Sequence, residues 1–163
     1  MSKYHIAILA AAFIVGSGPA YSADDVSRGK YLVTIMGCGD CHTPGYFLGK
    51  PDFAHPLSGS DVGFEMPGAG IRWGPNLTPD AETGLGKWSD KDIITAFRTG
   101  VTPDGRRLIP AMPFADFATL TDQDARAIVA YLRSLPPVHH AVPGPIKPGE
   151  KAPAPYLTVT MPQ

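Results

Sequence analysis

Two cysteines and one histidine are the residues of this sequence whose spacing most clearly indicates chemistry. Cys38 and Cys41 are the only cysteines of the chain, and His42 follows the second directly. Residues three apart on a helical turn share one face, so both thiols can reach the two vinyl groups of one porphyrin edge. The adjacent imidazole can then bind the iron as the proximal ligand. This spacing predicts one haem c, covalently bound through Cys38 and Cys41.

Other uses of the two thiols fit the sequence less well. A disulfide is the default pairing of two cysteines in an exported chain, but the spacing of Cys38 and Cys41 argues against it. A thioredoxin-like dithiol would follow a strand and open a helix, whereas here a helix precedes the motif and a loop follows. A zinc site that adds His139 and His140 lacks the usual separation between histidines. Haem attachment is therefore the favoured interpretation.

A methionine near the C-terminal third of the chain is the predicted sixth ligand of the iron. Met112 lies between Pro110 and Pro113, which stiffen an extended segment able to hold a sulfur over the haem face. A thioether ligand favours ferrous iron, and a six-coordinate site suits electron transfer. Met66 and His55 remain competitors for this position. Met36 and Met161 are weaker candidates, since one nearly adjoins Cys38 and the other lies in a tail.

Three segments have the apolar periodicity and the end signals of helices. They are 25–35, which ends before Gly37 and Gly39; 89–100, which opens with Ser89 and Asp92 and ends at Gly100; and 121–135, which opens with Thr121 and Asp124 and ends before Pro136. The serine or threonine with an acid three positions later is the signature of an N-cap. The first helix leads directly into the cysteine motif.

The segments between these helices are rich in glycine and proline, namely 44–67, 68–86 and 101–113. Ordered loops of this length need something to pack against, and a large flat cofactor would provide it. We therefore predict an all-α fold with three to five helices around one covalent haem. The prolines after residue 140 define a tail, 141–163, whose alternating apolar residues 156–161 either dock on a surface or stay disordered.

The N-terminal residues have the pattern of a secretory signal peptide. Lys3 precedes an apolar stretch, 6–15, which is followed by small residues up to Ala23. We expect residues 1–23 to be removed by cleavage near Ser22 or Ala23, and the haem domain, 24–140, to lie in the periplasm. The chain has 14 basic and 15 acidic residues without a basic stripe, which argues against a nucleic-acid partner.

The order of these features resembles a class I, mitochondrial-type c-type cytochrome over residues 26–135. The resemblance rests on a cysteine motif after an N-terminal helix, a methionine loop and a final helix. It implies that the first and last helices cross, with a glycine of one receiving an aromatic residue of the other. Gly29 and Tyr131 stand at suitable positions for that contact.

A narrower resemblance concerns the segments 76–89, 98–101 and 103–106. They are similar to the cytochrome c domains that serve periplasmic or membrane-bound alcohol, aldehyde and sugar-acid dehydrogenases. This implies a dehydrogenase as electron donor and a cytochrome or oxidase as acceptor, with any membrane association peripheral and through a partner. Cytochrome subunits of that group often carry three haem domains, whereas this chain has one attachment motif. The sequence does not indicate an oligomeric state for this protein.

The haem propionates are anionic and need hydrogen-bond donors where they are buried. Five residues of suitable type follow the motif in the loops: Asn76, Trp73, Trp88, Arg106 and Arg107. Core packing is the alternative role of the tryptophans, and a solvated surface is the alternative for the arginines.

Electron transfer by a single-haem cytochrome is the function that these features favour, and the chain itself is not expected to be an enzyme. The alternative is a haem enzyme or gas sensor with an open or displaceable sixth ligand, such as a small peroxidase. No histidine or arginine after His42 stands in a recognisable distal acid–base motif, which disfavours that alternative.

Overall fold

The computed structural model describes residues 21–162. The predicted signal peptide therefore lies outside the described residues, apart from its last three positions. Within residues 21–162, no helix is long and apolar enough to cross a membrane.

The first and last long helices form the centre of the fold. Helix α1 spans Ala23–Ile35 and helix α5 spans Asp122–Ser134. They cross at Gly29, where a Cβ would lie 1.9 Å from the carbonyl oxygen of Ala127 and 2.8 Å from Cβ of Tyr131. Only a glycine permits this approach of the two backbones. The crossing that the resemblance implies is confirmed.

The helix boundaries follow the predicted end signals. Ser22 and Ser89 each form a capping box, with Asp25 and with Asp92, and Thr121 accepts a hydrogen bond from the backbone of Asp124. Helix α3 spans Asp90–Thr99 and ends at Gly100, whose φ of +69° suits the left-handed cap. All three predicted helices are confirmed.

Two short helices and a turn of 3₁₀ helix complete the helical part. Helix α2 spans Cys38–His42, the 3₁₀ helix spans Tyr46–Leu48, and α4 spans Phe114–Phe117. The buried core lies mainly between α1, α3 and α5, to which these helices contribute Leu32, Val33, Ile93, Phe97, Ile128, Val129 and Leu132. The five helices agree with the predicted fold class.

A small sheet, which the sequence analysis did not predict, lies beside the helices. Strands β1, Gly63–Met66, and β2, Gly70–Trp73, form an antiparallel hairpin, and β3, Tyr156–Leu157, pairs in parallel with β1. Strands of two to four residues are too short to show alternation in a sequence. The third strand also comes from a distant part of the chain, so no local pattern announces it.

The segment 138–157, which we call the C-terminal strap, packs along the surface of the domain. It begins where the Val138 backbone N–H donates to Thr78 Oγ1, continues through Ile146, which bridges to Ile71, and ends in β3. Several residues of the predicted tail are thus in contact with the predicted haem domain. Docking, one of the two alternatives stated for residues 156–161, is what the structure shows for Tyr156 and Leu157.

Candidate haem site

One cavity of about 530 Å³ brings most of the predicted site residues together. Four parts of the chain form most of its walls: helix α2 with the two residues before it, the end of β2 with the residues after it, the segment 106–113, and residues 142–145 of the C-terminal strap. Phe64 of β1 and Phe117 of α4 complete the lining. Apolar residues predominate in this lining, and a few polar groups converge on it. This is the usual character of a cofactor site.

The cysteine motif forms helix α2 as a single turn. Gly37 precedes it with a φ of +66°, a conformation that lets the chain leave α1 and start a new helix after one residue. Cys38, Cys41 and His42 all line the cavity. The turn therefore presents both thiols and the imidazole to the same space, as the spacing predicts.

His42 is held in an orientation suited to an iron ligand. Its ring is buried, with 6% of the residue exposed, and its Nδ1 lies 2.8 Å from the carbonyl oxygen of Pro75. Because a carbonyl only accepts, Nδ1 carries the proton and Nε2 has its lone pair free. Burial lowers the pKa of His42, although the hydrogen bond to Pro75 opposes this effect. A neutral imidazole with a free Nε2 is the form that binds a metal.

Gly74 allows the loop after β2 to pack directly on α2. A Cβ at this position would lie 1.8 Å from the carbonyl oxygen of Cys41, well inside van der Waals contact. The close approach places the next residue, Pro75, against the His42 ring. Neither residue could be identified from the sequence, since their role arises only from the meeting of two distant segments.

The two thiols lack the features of a redox dithiol. Burial raises the pKa of Cys38 to about 11 and also raises that of Cys41, where the Asp40 carboxylate adds to the effect. Reactive dithiols have a thiolate stabilised by a lowered pKa. In residues 21–162, moreover, no group of three or more His, Cys, Asp or Glu side chains is arranged to hold a metal ion.

Met112 lines the same cavity from a segment that is distant in sequence from the cysteine motif. Its segment runs between α3 and α4, with the Met112 backbone N–H donating to the Ile109 carbonyl at 3.1 Å. Met36 is the other methionine in the lining. It caps the end of α1, two residues before Cys38.

The remaining candidates for the sixth position lie elsewhere. Met66 ends β1 and does not line the cavity, and Met161 is 82% exposed in the strap's continuation. His55 is an exposed residue whose Nδ1 lies 2.8 Å from the Asp52 carboxylate. Met112 is thus the predicted ligand that the structure brings to the same cavity as His42.

The structure separates the five predicted propionate partners into two groups. Trp73, Arg106 and Arg107 line the cavity, and Trp73 Nε1 is buried without a hydrogen-bond partner among the described residues. A buried indole N–H requires an acceptor, so the lining fits a cofactor that carries an anionic oxygen. The buried Trp73 N–H, without a partner in the described part of the chain, is the feature of this lining that fits haem, whose propionates supply anionic oxygens.

The other two candidates do not reach the cavity. The side-chain amide of Asn76 donates to Val138 and Thr83, and its oxygen accepts from Thr78, so its hydrogen-bonding capacity is used within the protein. Trp88 packs against the hydrophobic core. Their types suited a propionate, but their side chains face other parts of the molecule.

Several lining residues were not found from the sequence. Arg72 lies on β2, and Val142, Pro143, Gly144 and Pro145 belong to the strap. Arg72 stands next to Trp73 in sequence, which is the one local signal that associates it with the site. The strap residues carried no signal, because only the tertiary fold brings them over the cavity.

These features define a class of protein: a small, mostly helical domain with a Cys-x-x-Cys-His turn at the wall of an apolar cofactor cavity. The sequence profile of the family described as Cytochrome c matches residues 26–136. The chain belongs to the cytochrome c family, and the domain of that family carries covalent haem c.

Curated relatives place the chain close to cytochrome subunits of dehydrogenases. It is 39% identical over 117 residues to the fructose dehydrogenase cytochrome subunit of Gluconobacter japonicus. The matched region covers 69% of this chain and 22% of the relative. It is 34% identical over 131 residues to the cytochrome c subunit of alcohol dehydrogenase (quinone) of Gluconobacter oxydans, covering 77% of this chain and 24% of the relative.

A third relative is the diheme cytochrome c-type protein of Cereibacter sphaeroides, 30% identical over 117 residues, with coverage of 72% of this chain and 38% of the relative. The chain thus spans about a quarter of the length of the dehydrogenase subunits that it matches. The resemblance to dehydrogenase cytochromes stated from the segments 76–89, 98–101 and 103–106 is confirmed.

Proposed function

We propose that this protein is a single-haem cytochrome c that carries electrons from a dehydrogenase to a respiratory acceptor. The haem would be attached through Cys38 and Cys41, with His42 and Met112 as axial ligands. The observation that carries the proposal is the presence of a buried, correctly oriented His42 and of Met112 in the walls of one cavity. Two protein ligands leave no open position for a substrate on the iron.

The residues of the chain would each contribute to this use. The Pro75 carbonyl fixes the ring of His42 and keeps Nε2 available, while the thioether of Met112 favours the ferrous state. Trp73, Arg106 and Arg107 supply donors for the propionates. When bound, the haem supplies the one-electron chemistry, and the protein sets its potential through ligands, hydrogen bonds and burial.

Substitution of Met112 by alanine tests the closed site. We expect the wild-type ferrous protein not to bind carbon monoxide at neutral pH, and the ferric protein to show the weak far-red iron–sulfur absorption. The variant should lose that absorption, bind carbon monoxide, and have a midpoint potential lower by on the order of 0.1 V, since axial ligands change haem potentials over roughly 0.8 V. Absorption spectroscopy and redox titration measure these properties.

The matched control is Met36→Leu, since Met36 also lines the cavity. It should retain the far-red absorption and stay closed to carbon monoxide. Ready carbon monoxide binding by the wild type would instead favour the open-site haem enzyme or gas sensor. Unchanged ligation in Met112→Ala would remove Met112 from the proposal.

The donor is proposed from the relatives. Subunits that serve fructose and alcohol dehydrogenases share 34–39% identity with this chain, so a dehydrogenase of alcohols, aldehydes or sugar acids is the expected partner. The protein would act as an electron carrier or as an electron-transfer subunit of that dehydrogenase, at the periplasmic side of the membrane. The acceptor would be a further cytochrome or an oxidase.

Reduction of the oxidised protein by an envelope fraction of its source organism tests this partner. Ethanol, acetaldehyde, fructose and gluconate are supplied in turn, and the appearance of the ferrous absorption band is followed. We expect reduction with at least one substrate and none with the fraction alone. Reduction by ascorbate but by none of these substrates would contradict a dehydrogenase donor of this class.

A further inference from the structure

Part of the cavity wall comes from outside the region that matches the family. The family profile ends at residue 136, whereas Val142, Pro143, Gly144 and Pro145 of the C-terminal strap line the cavity. The strap is therefore an addition to the family domain that reaches the cofactor site.

Successive backbone contacts attach the strap to the domain on both sides of these lining residues. Before them, the His140 backbone N–H donates to Thr83 Oγ1, and its ring Nδ1 lies 2.8 Å from the Ser58 carbonyl oxygen. After them, Ile146 exchanges two backbone hydrogen bonds with Ile71, at 3.0 and 3.1 Å. Residues 142–145 are thus held across the cavity as a bridge between two fixed points.

Gly70 shows how closely the strap approaches β2. Its φ is +76°, and a Cβ there would lie 2.0 Å from the Ile146 carbonyl oxygen. Glycine at this position both makes the turn into β2 and leaves room for the strap. The sequence of the hairpin is thus adapted to the presence of the strap.

Arg72 connects the strap with the cavity. One of its terminal nitrogens, Nη1, donates to the carbonyl oxygens of Ile146 and Ile71, each at 2.9 Å. Its Nε is buried and has no hydrogen-bond partner among residues 21–162, and the residue lines the cavity. Beside it, the N–H of Trp73 is likewise buried and unpaired within the same described part of the chain.

We propose that Arg72 binds a haem propionate through Nε while Nη1 holds the strap, so that the strap forms a fourth wall of the haem pocket and is coupled to the haem. The inference rests on the proposed haem function. It explains why two neighbouring residues of β2 that line the cavity each have a buried donor without a partner among the described residues: each would meet an anionic oxygen of the haem. A guanidinium presents several donors in a fixed fork and can serve both partners at once.

The arrangement has a consequence for the redox potential. A propionate left without its counter-ion stabilises ferric iron and lowers the midpoint potential, and it also has a raised pKa. The other charged groups of the cavity wall are Asp40 on α2 and Arg106 and Arg107 in the segment before Met112. Arg106 and Arg107 are exposed, whereas Arg72 is half-buried, so water screens Arg72 least.

Substitution Arg72→Gln in the complete haem-loaded protein tests the coupling. We expect a lower midpoint potential at neutral pH and a step in its pH dependence displaced upward by about one pH unit or more, the usual effect of losing an opposite charge near a carboxylate. Arg72→Lys should recover part of this shift because it retains the charge. Arg126→Gln, which removes an exposed charge on α5, should leave the profile unchanged.

Limited trypsin digestion tests whether Arg72 holds the strap against the domain. Lys151 is an exposed residue of the strap, and cleavage there reports release of the strap. We expect cleavage to be several-fold faster in Arg72→Gln than in wild type and in Arg126→Gln.

The outcomes separate this inference from the proposed function. A haem-loaded Arg72→Gln protein with faster cleavage but an unchanged potential profile would make Arg72 a support of the strap alone and overturn the propionate contact. An altered profile with unchanged cleavage would overturn the coupling. A wild-type protein without covalent haem would overturn the proposed function and this inference together.

Discussion

Single residues set the geometry around His42. His42 is oriented by a backbone carbonyl rather than by a side chain, so its environment depends on how close the loop after β2 can come to α2. Gly74 permits that approach. The chemistry of the site thus depends on Gly74, a residue that has no side chain. Its role is to permit close packing of two segments, which is distinct from the role of the ligands.

Substitution Gly74→Ala tests this dependence. The new methyl group would overlap the Cys41 carbonyl, so α2 and the Pro75 loop must separate and the hydrogen bond to His42 must lengthen. We expect a lower yield of haem-loaded protein and a loss of about 1–3 kcal/mol in the free energy of unfolding, the usual cost of overpacking. Haem absorption per protein and denaturant unfolding measure the two effects.

Gly144→Ala is the matched control for this prediction. Gly144 also lines the cavity, but no atom lies within 4 Å of a Cβ built there. Its effect on stability should stay within about 0.5 kcal/mol. Equal behaviour of the two variants would show that the close approach at Gly74 is unimportant.

At the scale of elements, the crossing of α1 and α5 determines where α2 begins. Helix α1 leads through Gly37 into the cysteine motif, so any shift of α1 moves both thiols. The contact at Gly29 keeps the axes close. A stable crossing is therefore a condition for a correctly placed Cys38–His42 turn.

We expect Gly29→Ala to destabilise the protein although alanine is the better helix former. Helix propensity favours the substitution by about 1 kcal/mol, whereas its methyl group would lie 1.9 Å from the Ala127 carbonyl oxygen and would force the helices apart. A net loss of about 1–3 kcal/mol in unfolding free energy is expected. Ser27→Ala, at an exposed position of the same helix, serves as the control, and a Gly29 variant as stable as Ser27→Ala would contradict the prediction.

The helix caps give the stability of the fold a defined dependence on pH. A hydrogen bond from Ser22 lowers the pKa of Asp25, and one from Ser89 lowers that of Asp92, both from an ordinary value of 3.8. A carboxyl whose pKa is lower in the folded state adds stability above its ordinary pKa and loses it as pH falls through the folded value.

We therefore expect the unfolding free energy to fall as pH decreases below about 4, and to fall less in an Asp25→Asn, Asp92→Asn variant. The double variant should also be less stable than wild type at neutral pH, because its caps lack the charge. Urea unfolding between pH 2.5 and 7 measures both effects. Asp24→Asn is the control, at an exposed acid of the same helical turn as Asp25. An identical slope in wild type and double variant would exclude the caps as its source.

The whole molecule is a family domain with additions at both ends. At the N-terminal side, Tyr21 donates a hydrogen bond to the Asp90 carboxylate, and burial raises its pKa to about 12. Ser22 caps α1. Cleavage after Ser22 or Ala23, as the sequence suggests, would remove these contacts.

We accordingly expect the exported chain to begin at Tyr21, with small residues Gly18 and Ala20 three and one positions before the cut. Only two cysteines are present, so the mature chain should also carry the mass of one haem. Intact mass spectrometry of the protein from a periplasmic fraction measures both quantities. A mass matching a start at Ala23 or Asp24, or one without haem, would contradict this expectation.

Local patterns were sufficient to predict a good part of this protein. The haem motif needs three residue types at fixed spacing, and the ends of α1, α3 and α5 are marked by caps and by glycine or proline, because helix termini are satisfied by nearby side chains. These features involve contacts over a few residues. A sequence displays such contacts directly.

Only the tertiary structure decided which distant segments meet at the cavity. Asn76 and Arg72 show the difference. The side-chain amide of Asn76, whose type suited a propionate, donates instead to Thr83 and Val138. Arg72, which the sequence did not single out, lines the cavity. The small sheet, the Pro75 carbonyl and the strap likewise join parts of the chain far apart in sequence. Their contacts depend on packing and backbone approach, which no local spacing of residue types encodes.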